Sequence, residues 1–68
     1  MTGQDCKLER KRRGLTLAAV AAQMGVTKAR VHQIEQMAQL TLEGTQRVLT
    51  AIHDAEQARR ERLAGVPQ

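Results

Sequence analysis

The 68-residue sequence predicts an all-α domain of four helices, a central pair flanked by a short first helix and a long C-terminal one. Three observations carry that reading. Apolar residues recur at i, i+3, i+4 and i+7, the spacing of one helix face. Threonines stand directly before the periodic stretches at Thr16, Thr27 and Thr41, where a side-chain oxygen caps a helix N-terminus. Glycines close two of the stretches, at Gly14 and Gly25. The length fits one small domain, expected over residues 1–64 with 65–68 as a flexible tail. A chain this short buries only about 60% of its unfolded surface, so its core is thin.

Composition narrows the function. Phe, Tyr and Trp are absent, so the core must be built from Leu, Val, Ile, Met and Ala. That also removes the aromatic platforms on which single-stranded DNA and RNA bases stack. Eleven Lys and Arg against seven Asp and Glu give a net charge of +4 and a pI near 10.2. Such a balance suits a polyanionic partner, because phosphate neutralisation supplies most non-specific nucleic-acid affinity.

Cys6 is the single cysteine and cannot form an intramolecular disulfide. No Cys/His cluster has zinc spacing, and His32 and His53 lack a partnering ligand motif. Neither a cofactor, a metal, a small-molecule substrate nor an enzymatic activity is expected. The sequence carries no signal peptide and no long apolar run, so the expectation is a cytoplasmic, nucleoid-associated protein without a membrane partner.

The first helix is expected over residues 4–13, ended by Gly14 after the basic run Lys7, Arg10, Lys11, Arg12 and Arg13. Its apolar face is limited to Cys6 and Leu8, and its basic end is suited to phosphates. The second helix is expected over 17–24, capped by Thr16. Leu17, Val20, Ala21 and Met24 form its apolar stripe, and its alanines let a neighbouring helix cross closely. Gly25 stops it in the left-handed conformation.

A third helix is expected over 27–38, with Thr27 as cap and Val26 as staple. Val31 and Ile34 face inward, Met37 or Ala38 continue the stripe, and Gln36-Met37-Ala38-Gln39-Leu40 can prolong the helix. Its outward face offers Lys28, Ala29, Arg30, His32, Gln33 and Gln36. Arg and Lys suit guanine edges, Gln suits adenine, and an Ala methyl suits the thymine methyl. These six are the expected base readers. Arg12, Arg13, Thr16, Leu17 and Thr27 are the expected phosphate contacts.

Two threonine-capped helices joined by a short Gly-Val turn make a helix-turn-helix. Leu17, Val20, Ala21, Met24, Gly25, Val26, Val31 and Ile34, with the lead-in Arg12-Arg13-Gly14-Leu15-Thr16-Leu17, resemble the Cro and phage-repressor class. A second resemblance is to the fourth region of primary bacterial sigma factors, which recognises an upstream promoter element. It is carried by Leu15-Thr16-Leu17, Val20, Gln23, Gly25-Val26-Thr27-Lys28, Arg30-Val31 and Gln33-Ile34-Glu35. Together they cover residues 8 to about 40. At Ala29 the sigma pattern has a base-reading acid and at His32 an arginine, which implies a target other than the sigma consensus.

The resemblances imply a sequence-specific regulator of double-stranded DNA, a short phage- or plasmid-like repressor acting by promoter occlusion. The alternative is a protein-interaction module, binding RNA polymerase or acting like an antitoxin.

The fourth helix is expected over 42–63, capped by Thr41 and ended by Gly65 and Pro67. Thr45, Val48, Leu49, Ile52 and Ala55 give its apolar stripe. From about Ala55 to Leu63 it is expected to overhang the core, leaving Leu49, Ile52, Ala55 and Leu63 for a homodimer contact. A dimer implies a palindromic operator with half-sites ~34 Å apart.

Overall fold

Four threonine caps set the helix starts in the computed structural model, which describes residues Met1–Ala64. The helices are α1 (Gly3–Arg12), α2 (Leu17–Met24), α3 (Lys28–Glu35) and α4 (Leu42–Ala64), so the fold is all-α. Thr16 Oγ1 accepts the Ala19 amide at 3.0 Å, Thr27 Oγ1 the Arg30 amide at 3.1 Å, and Thr41 Oγ1 the Gly44 amide at 3.0 Å. At α1 the cap is reciprocal. Thr2 Oγ1 accepts from the Asp5 amide at 3.1 Å, while Asp5 accepts from the Thr2 amide at 3.0 Å, closing a capping box. Gly14 and Gly25 end α1 and α2 at φ of 71° and 72°, a region where a Cβ costs about 1–2 kcal/mol.

The core lies where α2 packs on α3 and on α4, with α1 closing against both. Val20, Val31, Ile52 and Cys6 are fully buried, and Leu15, Ala21, Ile34, Leu40, Val48, Ala51 and Ala55 complete the cluster. Leu17, Met24 and Leu49 are partly buried against it. Burying each large aliphatic contributes about 1.5–3 kcal/mol.

Three sequence expectations change. Leu8 does not face the core: it is 57% exposed, and α1 instead buries Gly3, Cys6 and Arg10. The third helix does not run to Ala38. Gln36 is its C-cap, because the N-terminal segment takes up the next backbone groups. The Gly3 amide donates to the Met37 carbonyl at 2.9 Å and the Leu40 amide to the Met1 carbonyl at 3.0 Å, while the Leu40 side chain enters the core.

The overhang of α4 also begins later than Ala55. Ala55 is buried, Glu56 accepts from Arg13 Nη1 at 2.8 Å, and Arg59 Nη1 donates to the carbonyls of Arg13 and Gly14 at 3.2 and 3.1 Å. The expected tail at 65–68 lies outside the described residues.

Candidate nucleic-acid interface

The third helix divides cleanly into two faces. Val31, Ile34 and Glu35 are buried, while Lys28, Ala29, Arg30, His32, Gln33 and Gln36 are all exposed. At about 100° per residue, Ala29, Gln33 and Gln36 fall at the centre of the outward face. Lys28 and His32 lie on one shoulder and Arg30 on the other. Consistent with that position, Arg30 borders a groove with Met24, Val26 and Arg47. Among the described residues none of these outward side chains makes a hydrogen bond or ion pair within the protein.

The face is held rigidly from behind. Arg10 Nε donates to Glu35 Oε2 at 2.7 Å and Nη2 donates to Oε1 at 3.1 Å, a bidentate pair inside the core. Arg10 Nη1 donates further to the Leu15 carbonyl at 2.8 Å. One guanidinium therefore joins α1, the α1–α2 turn and the last turn of α3. Geometry of this kind is what offsets the desolvation of two buried charges. The approach of the two helices is close enough to require a glycine. A Cβ on Gly3 would stand 2.7 Å from the Glu35 carbonyl oxygen and closer still to that of Ile34.

Sequence reading missed this pair, grouping Arg10 with the basic run. The signal was spacing: Arg10 stands four residues after Cys6, and Glu35 four after Val31, so each charge sits on an inward stripe.

The expected phosphate contacts separate into two kinds. Thr16 and Thr27 are exposed at the N-termini of α2 and α3, their hydroxyls engaged in capping, and Leu17 begins α2 beside Thr16. Arg12 is 75% exposed and reaches Glu9 at 3.2 Å. Arg13 is held between Glu9 at 2.7 Å and Glu56 at 2.8 Å. The hydrogen bond from Arg13, with a second from Arg12, holds the Glu9 carboxyl below the ordinary carboxylate range. The Arg13 charge is thus already matched internally.

The expected dimer contact is also redrawn. Ile52 and Ala55, 1% and 4% exposed, are filled by the chain's own core, which removes them from any surface a second copy could meet. Leu49 is partly buried, and Leu63 alone of the four stands in the open at 76% exposure. Cys6 lies 3.7 Å from Met1 Sδ, and burial pushes its thiol up, which favours an inert, structural thiol. Among the described residues no three His, Cys, Asp or Glu converge to hold a metal ion. Among the described residues no helix is long and apolar enough to cross a membrane.

A family model described as a helix-turn-helix domain matches residues 7–63, a span that takes in the second half of α1, the central pair and nearly all of α4. No curated protein and no solved structure matches. With more than half of its length matched and α2, the Gly25 turn and α3 in place, the chain belongs to the helix-turn-helix domain family.

Proposed function

We propose that this chain is a sequence-specific repressor that occupies a promoter, two copies sitting on the half-sites of a palindromic operator. The supporting observation is the outward face of α3, rich in hydrogen-bonding groups that have no partner within the described protein and mounted on a buried ion pair. Gln33 and Gln36, at its centre, suit the paired donor and acceptor of adenine, and Ala29 between them suits a thymine methyl. Lys28 and Arg30 on the two shoulders suit guanine edges, with His32 supplementing Lys28. Arg12, Thr16, Thr27 and the Leu17 amide hold phosphates and set the register. The contact between copies falls to apolar side chains that remain exposed, Leu42 and Leu63 among them. Acting on DNA in this way, the protein works in the cytoplasm.

Selection of bound sequences from a random duplex library tests the reading. The expected consensus is two inverted half-sites one helical turn apart. A single unpaired half-site overturns the two-copy arrangement, and no enrichment at all overturns sequence-specific binding.

One observation favours a second reading, a protein-interaction module that binds RNA polymerase or acts like an antitoxin. A groove of about 310 Å³ beside α3 is lined by Met24, Val26, Ile34, Met37 and Leu40. Methionine-lined grooves adapt to partner side chains. That reading predicts salt-insensitive capture of a protein and no shift of any duplex.

A further inference from the structure

We infer that the last turns of α4 carry an additional phosphate contact, with Arg62 as the side chain that meets the DNA backbone. The inference rests on the DNA-binding reading and extends its footprint beyond the helix-turn-helix.

Three observations converge. An open cleft of about 300 Å³ separates the α1–α2 turn from the end of α4, with Gly14, Leu15, Thr16 and Ala19 on one side and Arg59, Arg62 and Leu63 on the other. Among the described residues two guanidinium groups line it and no carboxylate does, a lining whose complement is an anion. The two arginines also differ in what they are doing. Arg59 spends Nη1 on the carbonyls of Arg13 and Gly14, which pins this part of α4 against the turn. Arg62, one helical step further, is exposed and has no ion-pair partner among the described residues. The nearby acid Glu56 faces elsewhere, held at 2.8 Å by Arg13.

Position selects the anion. The cleft shares Thr16 with the edge of α2 that is proposed to hold a phosphate, so a backbone lying on that edge passes the cleft. A helix of 23 residues spans about 34 Å, long enough to begin beside α3 and end at this opposite edge. The ligand is therefore a phosphodiester of the same duplex, read without regard to sequence.

The test is the salt dependence of binding to a duplex of about 30 base pairs of random sequence, followed by anisotropy between about 50 and 200 mM salt. Four full-length proteins are compared: wild type, Arg62→Gln, Arg62→Lys and Arg60→Gln. Arg60 is the control, being 72% exposed on the same turns with Glu56 at 3.9 Å and no place in the cleft.

Arg62→Gln is expected to lower the slope by about 0.9 and weaken binding about eightfold near 0.1 M salt, the value one lost phosphate contact gives relative to 1 M. Arg62→Lys restores the slope, and Arg60→Gln leaves it near wild type. Unchanged melting curves establish that Arg62→Gln folds. If wild type binds but Arg62→Gln keeps its slope, or Arg60→Gln loses as much, the α4 contact is overturned and the helix-turn-helix reading stands. If wild type binds no duplex, the DNA reading itself fails and this contact fails with it.

Discussion

The end of α1 and the outer face of α3 are both rich in positive and hydrogen-bonding groups, yet the chain uses them in opposite ways. At α1, Arg10 is buried against Glu35, Arg13 lies between Glu9 and Glu56, and Arg12 leans on Glu9. On α3, Lys28, Arg30, His32, Gln33 and Gln36 find no partner among the described residues. Counting basic residues would rank the first region as the better candidate for a polyanion. Pairing reverses the order, since a charge already matched inside the protein has little left to offer a phosphate.

The sharpest way to break this comparison is at Glu35. Glu35→Ala leaves the Arg10 guanidinium buried without its counter-charge and is expected to cost about 3–5 kcal/mol, a large share of the stability of so small a domain. Urea denaturation measures it, and replacing both residues with leucine should recover most of the loss. A near-neutral Glu35→Ala would mean that the pair does not hold α3.

Gln33→Ala probes the other region. It should leave the melting temperature unchanged while costing about 1–3 kcal/mol of affinity for the selected operator and relaxing specificity at one base pair. Titration of single-base operator variants checks both parts.

Within α1 the comparison sharpens between neighbours. Arg12→Ala should lower the salt slope by about 0.9 with little effect on melting. Arg13→Ala should do the reverse, lowering the melting temperature modestly while the slope stays near wild type. Equal slopes for the two variants would cancel the distinction between the doubly paired Arg13 and the exposed, singly paired Arg12.

The smallest effect is one of pH. Asp5 is held below the ordinary aspartate range, first by the Thr2 amide and then by the Thr2 hydroxyl, and Glu9 is lowered by Arg13 and Arg12. Folded values below the unfolded ones mean that these contributions are complete above the ordinary carboxylate range of about 4. They are lost as pH falls through the depressed folded values. Acid titration of stability should therefore be shallower in Asp5→Asn than in wild type.

Much of this architecture was legible because it is local. Thr16, Thr27, Thr41, Gly14 and Gly25 fix helix ends by their own chemistry, and Val31 and Ile34 declare their face by spacing. The misplaced features are tertiary. Gln36 to Leu40 contains good helix formers, and nothing within that stretch stops α3. Its end is set by Gly3 and Met1, more than thirty residues earlier, whose backbone groups claim Met37 and Leu40. Likewise the outward turn of Leu8 follows from Arg10 occupying the inward position, which depends on Glu35 being there to meet it. The start of the α4 overhang was misplaced for the same reason, since Glu56 and Arg59 acquire their purpose from Arg13 and Gly14.

The double anchoring of α3 has a calorimetric meaning. Thr27 fixes its first turn and Arg10 its last, so α3 is formed before any partner arrives, and DNA binding of the proposed kind need not order it. The heat-capacity change of that binding then reflects the surface the two molecules hide from water, free of the large folding component that accompanies recognition by disordered basic segments.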